Sequence, residues 1–294
     1  GLAPDEPIRL IEPCDAIAAL PERRRNIHKG SCGHLLIVAG SQGMAGAAHY
    51  AARMALRMGA GLVTLACPRS IVPVLQTLVP GAMAVSLPEE NGAISRDALP
   101  VLRDALRGKT AVAAGPGLSR RAAPEIVETI LTCGLPAVID ADALNLIAEN
   151  APLRPLLRPC HVLTPHPGEA ARLIGALSDP IEDAKRLHAL GATALLKGAS
   201  SVVAGESGLY LSASGCGGMA TGGSGDVLTG MIGALLAQSV APETAAWASS
   251  ELHGLAGEAA ARALTETAMT ASDLIDCWPE TLKALSRQCG RARL

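Results

Sequence analysis

Short β-branched or Leu-rich runs alternate along this chain with longer Ala-rich segments of helical pattern. Leu35–Ala39, Leu62–Cys67, Ala111–Ala114, Ala137–Ile139, His161–Leu163, Ala194–Leu196 and Val202–Ala204 read as strands. Strands that are apolar on both faces belong in a sheet covered on both sides. Between them, Ala47–Met58, Pro73–Val79, Pro124–Cys133, Ala143–Glu149, Glu169–Ile174, Ile181–Leu190, Val227–Ala237 and Pro242–Ala263 read as helices. This βαβα order predicts an α/β fold with a mostly parallel sheet between helical layers. Leu195–Leu211 has no helical pattern and carries turn signals at Gly198, Gly205 and Gly208, so hairpin-like strands at one sheet edge are expected there. With no fixed-period repeat and no low-complexity linker, residues 31–286 read as a single domain. Residues 1–30 read as an N-terminal extension and 287–294 as a mobile basic tail.

Composition narrows the picture. The 294 residues are 49% hydrophobic and 18% charged, enough for a large core. Phe is absent and there are only 2 Trp and 2 Tyr, so small aliphatic side chains fill that core and single-stranded nucleic acid has few rings to stack on. A net charge of -2 offers no general field to polyanions or membranes, which removes nucleic acid and membrane surfaces as expected partners. No apolar stretch is long enough to span a bilayer, and Gly1–Glu6 lacks a signal-like run, so a cytoplasmic protein is expected. The cysteines at 14, 32, 67, 133, 160, 216, 277 and 289 show no C-x-x-C spacing and read as small core residues in a reducing cytosol. A start on Gly1 rather than Met fits an excised part of a longer protein.

The candidate chemistry concentrates in Gly215–Asp226, a glycine-rich run that empties into the apolar segment Val227–Leu236. Glycines at a helix start bring bare N–H groups and the positive dipole end to an anion, so Gly223, Ser224 and Gly225 read as a phosphate cradle. Asp226 then has two readings: acceptor of a hydroxyl proton, or cap of its own helix. Open α/β sheets bind ligands beyond the carboxyl ends of their strands, where further polar clusters fall. Gly40–Ala47 is a small-residue turn with neither Walker nor G-x-G-x-x-G spacing. Gly115-Pro116-Gly117-Leu118-Ser119 offers bare backbone at Gly117, and Asp140-Ala141-Asp142 puts one carboxylate at a strand tip and one at a helix start. In Thr164-Pro165-His166-Pro167-Gly168-Glu169 two prolines stiffen the histidine, and Glu169 either orients magnesium waters or favours the helix N-terminus. Lys197 closes another strand as a phosphate or ribose contact, or as a solvated lysine.

Taken in order, His28-Lys29-Gly30, Gly40-Ser41, Gly46-Ala47, Gly59–Val63, Gly115–Leu118, Asp140–Asn145, Leu163–Glu169, Leu196–Ala199 and Met219–Leu228 resemble the ADP/ATP-dependent NAD(P)H-hydrate dehydratases over about residues 25–285. That resemblance implies a ribokinase-like αβα sandwich and a lyase that restores hydrated NADH or NADPH. ADP or ATP phosphorylates the ring hydroxyl, phosphate is eliminated, and Mg2+ serves as cofactor. It implies Ala47, Gly117, His166 and Asp226 as contacts to the hydrated dinucleotide, with Asp226 also catalytic. It implies Lys197, Gly198, Ala199, Ser200, Ser201 and Gly225 as adenosine-phosphate contacts, with Glu169 reaching metal through water. On this reading the helix dipole keeps Asp226 ionised and therefore a weak base, which a loose phosphoryl-transfer transition state tolerates. The family further implies a tetramer and, in many bacteria, a fused epimerase domain. Ala48-His49 and Ser119 depart from the family's usual Pro and Gly, which bears on the shape of the substrate pocket. A small-alcohol kinase of the same fold and a noncatalytic adenine-nucleotide sensor are the alternative readings.

Overall fold

A computed structural model describes residues 7–291 except Arg24 and Asn26. The chain opens with β1 (Ile8–Leu10), α1 (Pro13–Ala18), β2 (His34–Val38), α2 (Ala45–Arg57), β3 (Leu62–Pro68), α3 (Val72–Leu78) and β4 (Met83–Leu87). It continues through β5 (Glu89–Glu90), β6 (Ala93–Ile94), α4 (Leu99–Leu106), β7 (Ala111–Ala114), α5 (Pro124–Thr132), β8 (Ala137–Ile139) and α6 (Ala141–Glu149). The remainder is β9 (His161–Leu163), α7 (Pro167–Ile174), α8 (Pro180–His188), β10 (Thr193–Leu196), β11 (Ser201–Gly205), β12 (Gly208–Ser212), α9 (Ser224–Ala237), α10 (Pro242–Leu264) and α11 (Ala271–Gln288).

The main sheet runs β1-β12-β11-β10-β9-β8-β7-β2-β3-β4. Neighbours from β10 through β4 pair in parallel. Strand alternation divides the interior in two. Leu35 and Ile37 of β2 face a core shared with α2, α9, α10 and α11, while Leu36 and Val38 face one shared with α4 to α8. This double cover is the reason the parallel strands read as unbroken apolar runs. The expected hairpin is present, since β10, β11 and β12 pair in antiparallel fashion. It is not the rim of the sheet, however, because β1 pairs in parallel with β12 outside it.

Both ends of the described segment pack into the domain. Within the segment read above as an extension, Arg9 lies over the Tyr210 ring, which stacks on Trp247 of α10, and Ala16 and Ile17 of α1 are fully buried. At the other end α11 continues to Gln288, and the Arg291 guanidinium donates to the carbonyls of Ile17, Ala18 and Leu20. Residues 292–294 of the expected tail lie outside the described residues. The reading of all eight cysteines as free core thiols is corrected at one pair: Cys14 and Cys289 form a disulfide. Packing of α1 against α11 brings together two cysteines 275 residues apart, which no spacing rule detects.

The helix that carries the glycine-rich start, α9, is buried almost throughout and lies against α2. Their close approach rests on Gly230, where an added Cβ would come within 2.3 Å of the Ala51 carbonyl oxygen. Alanine is the better helix former by about 1 kcal/mol, but overpacking a core costs about 1–3 kcal/mol. Gly230→Ala is therefore expected to destabilise the protein. Gly46→Ala, at a site with nothing within 4 Å, is expected to be neutral or to stabilise by about 0.5 kcal/mol. Thermal or denaturant unfolding of the two variants checks this opposition of sign.

Candidate functional site

The carboxyl ends of β8, β9 and β10, the start of α9 and one side of α10 surround a cavity of about 810 Å³. Each strand end carries one polar group into it. Asp140 follows β8, His166 and Glu169 open α7 after β9, Lys197 follows β10, and Asp226 sits in the first turn of α9. Gly198, Ala199, Ser201, Ser224 and Gly225 of the expected set also line it. Ser200 and Gly223 do not border the cavity. Gly223 instead supplies the left-handed N-cap of α9 (φ 95°), with the Tyr50 ring 2.6 Å from where a Cβ would stand. Ala47 and Gly117 also lie outside that lining and meet each other, a Cβ at Gly117 falling 2.9 Å from that of Ala47. The two turns that hold them are joined by hydrogen bonds from Gly40 N–H to the Pro116 carbonyl (2.8 Å) and from the Ser41 hydroxyl to the Gly117 carbonyl (2.9 Å).

Asp140 is 1% exposed and has both carboxylate oxygens occupied. Oδ1 accepts from Lys197 Nζ at 2.8 Å and Oδ2 from the Thr229 hydroxyl at 2.7 Å. Lys197 also lies 4.0 Å from Glu169, and its backbone N–H is fixed to the Pro165 carbonyl. Burial alone would lower the Lys197 ammonium, but Asp140 and Glu169, with Asp226 beyond, raise it, so it stays charged. A Cβ on Gly225 would stand 3.4 Å from Lys197 Nζ, which places the ammonium directly against the cradle.

Asp226 behaves differently from the expectation. Burial, reinforced by Asp140 and Asp142 and opposed by Lys197, pushes its carboxyl up to about 7. Desolvation and two neighbouring carboxylates thus work against the ionised form that a helix start favours. Asp226 does not serve as the N-cap, a place taken by Gly223 without any side-chain cap. Ser224 turns back toward α10, its hydroxyl 3.4 Å from His253 Nε2, and burial lowers His253 to about 4, leaving the imidazole neutral.

Glu169 and His166 form a reciprocal capping box at the start of α7. His166 N–H donates to Glu169 Oε2 at 2.9 Å, and Gly168 N–H donates to His166 Nδ1 at 3.0 Å. The helix-start reading of Glu169 thus has a definite geometry. Burial raises its carboxyl, with Lys197 pulling the other way. Among the described residues no three His, Cys, Asp or Glu side chains converge as a metal site. With Asp140 saturated and Glu169 engaged in its box, these residues do not fit direct magnesium chelation.

Sequence reading missed Thr229, Ser250 and His253. Thr229 carried a signal, a polar residue three places after Asp226 inside an otherwise apolar helix. His253 and Ser250 carried none, since only the packing of α10 on α9 turns them toward the cavity. Asp142, at the start of α6, accepts the Ser119 N–H of the neighbouring turn at 2.8 Å. Ser119 has φ 71°, a left-handed conformation that explains why glycine is usual there.

The family described as NAD(P)H-hydrate dehydratase matches residues 35–280. The bifunctional NAD(P)H-hydrate repair enzyme of Moorella thermoacetica is 43% identical over 290 residues, covering 95% of this chain and 55% of that protein. This chain thus spans about half the length of such curated relatives. The ADP/ATP-dependent NAD(P)H-hydrate dehydratase of Bacillus subtilis, co-crystallised with ATP and Mg2+, superposes with a TM-score of 0.82 at 30% identity, covering 96% of this chain and 100% of that one. A ribokinase-like superfamily protein of Enterococcus faecalis superposes with the same TM-score at 24% identity, over 95% and 96% of the two chains, which places the fold.

Folding raises the Asp226 carboxyl from 3.8 to about 7, so ionising it costs the native state. The penalty is absent below about pH 4, grows between about 4 and 7 and is complete above that. Asp226→Asn, which never ionises, is expected to melt roughly 3 °C or more above the wild type at pH 8 and level with it at pH 4. Calorimetry at the two pH values checks the sign.

Proposed function

This chain belongs to the NAD(P)H-hydrate dehydratase family, and we propose that it uses ADP or ATP to dehydrate hydrated NADH or NADPH. The observation that supports the reading most is Asp226, a carboxyl poised near neutrality at the mouth of a helix-start cradle, beside the charged Lys197. In the first step the ring hydroxyl oxygen bonds to the terminal phosphorus, the bridging P–O bond of the nucleotide breaks, and Asp226 takes the hydroxyl proton. In the second the ring C–O bond breaks, phosphate departs, and the neighbouring carbon gives up a proton to solvent or the departing phosphate as the ring double bond forms. Phosphate leaves readily where hydroxide would not. A base near 7 accepts the proton more readily than an ordinary carboxylate and is still about half ionised at neutral pH.

In this reading the N–H groups at Ser224 and Gly225 and the start of α9 stabilise the phosphoryl in flight, with Gly223 shaping the turn from outside the cavity. Lys197, Gly198, Ala199, Ser200, Ser201 and Gly225 hold the adenosine phosphates, and Ala47, Gly117, His166 and Asp226 hold the hydrated dinucleotide. Glu169 would reach a nucleotide-bound magnesium ion only through water, and the ion would supply neutralisation of phosphate charge. No protein-only seat is invoked. Among the described residues no helix is long and apolar enough to cross a membrane. A cytoplasmic setting, a tetramer and a fused epimerase partner are proposed from the family resemblance alone.

The test mixes the protein with hydrated NADH or NADPH, magnesium and ADP or ATP, and follows the return of reduced-nicotinamide absorbance. An alcohol kinase would consume nucleotide with another hydroxyl and leave the hydrate untouched. Asp226→Asn is expected to lower kcat by at least about 100-fold, whereas Lys197→Ala chiefly raises the KM for nucleotide. The acid limb of kcat/KM is expected near pH 7, activity falling as Asp226 protonates below it. In Asp140→Asn that limb moves to lower pH, because one of the charges that raises Asp226 is gone. A limb that stays in place would show that another group sets it.

A further inference from the structure

Four polar groups link the turn that carries Gly117 to the helix that opens at His166. Ser119, two residues beyond Gly117 and 7% exposed, donates its backbone N–H to Asp142 Oδ2 at 2.8 Å. Asp142 Oδ1 lies 3.4 Å from Asn145 Nδ2, one turn further along α6, and Asn145 is 9% exposed. Asn145 Oδ1 in turn accepts from Arg172 Nη1 at 3.0 Å. Arg172 stands in the last turn of α7, the helix whose N-cap is His166. A continuous set of hydrogen bonds therefore runs from the turn that carries Gly117, through α6, to the helix that presents His166.

This arrangement does more than cap a helix. Asp142 leaves the N–H groups of its own helix and reaches the neighbouring turn, where Ser119 holds a left-handed backbone that is unfavourable for a residue with a side chain. Such a conformation persists only where its surroundings over-determine it, and the Asp142 bond is one restraint here, beside those from Arg121 N–H to the Ser119 hydroxyl and from Ala122 N–H to its carbonyl. Asn145 spends its amide on both sides, donating to Asp142 and accepting from Arg172, so its orientation is fixed by the tie it completes.

We propose that Asp142, Asn145 and Arg172 are positioning residues that hold the Gly117 turn and the His166 corner at a fixed separation, matched to the hydrated dinucleotide. The inference rests on the reading of Gly117 and His166 as contacts to that substrate. None of the three touches the reacting atoms. The tie acts on substrate fit, because a displacement of about 1 Å between two contacts of one ligand forfeits much of its binding energy; Asp142 also helps to raise Asp226, so the variants are made at Asn145 and Arg172.

The test uses the full chain and three variants. Arg172→Met removes the guanidinium while keeping the stem, Arg172→Lys keeps a donor, and Asn145→Ala breaks the tie at its centre. Arg172→Met and Asn145→Ala are expected to raise the KM for hydrated NADH about tenfold, while the KM for ADP or ATP and the kcat stay within about twofold. Arg172→Lys recovers part of the loss. Independently of turnover, amide exchange across residues 115–119 is expected to quicken at least about fivefold in Arg172→Met, although Arg172 does not touch that turn. Unchanged exchange there in both Arg172→Met and Asn145→Ala overturns the tie. So does an equal rise of the two KM values, which would mark a loss of general stability. If the wild type leaves the hydrate untouched, the proposed reaction fails, and the exchange measurement still decides the tie.

Discussion

The site depends on one buried ion pair. Asp140, almost entirely removed from water, receives Lys197 on one oxygen and Thr229 on the other, so its charge is fully engaged within the protein. Leaving either partner of a buried pair alone costs about 3–5 kcal/mol, which makes the pair stiff as well as placed. It joins the ends of β8 and β10 to the middle of α9, the three elements whose relative position defines the cavity. It also acts on its neighbours: Lys197 is held charged against the Gly225 cradle, and the Asp140 charge helps to push Asp226 toward neutrality.

The fold makes such a pair possible. A sheet covered on both faces ends its parallel strands in one row, so residues far apart in sequence arrive side by side, each at a strand tip. The cores on either side are built from small aliphatic side chains, which lets helices approach as closely as α2 and α9 do. The start of α9 is thereby pinned at the sheet's edge of action. Its glycine cradle faces the cavity while its body stays buried.

Much of this was legible in the chain. The apolar runs of β7, β8 and β9 coincide with the observed strands residue for residue, because a strand buried on both faces has no polar position to blur its limits. The elements left unread are those where a second influence masks the period. The edge strand β4 is half exposed, α11 contains Pro279, and β1 is largely exposed. Among site residues, His166, Glu169, Lys197, Gly225 and Asp226 were readable because each follows a strand or opens a helix, while His253 and Ser250 lie within an ordinary Ala-rich helix.

The order of residues along the chain determined the α/β layering, the cradle at the start of α9 and the family to which the protein belongs, since each is written in local periodicity and short motifs. Tertiary structure alone decided the basicity of Asp226, the engagement of Asp140 and the bridge between Cys14 and Cys289. Desolvation and Coulomb forces depend on which groups surround a charge in space, and for these residues the deciding neighbours come from other strands and helices.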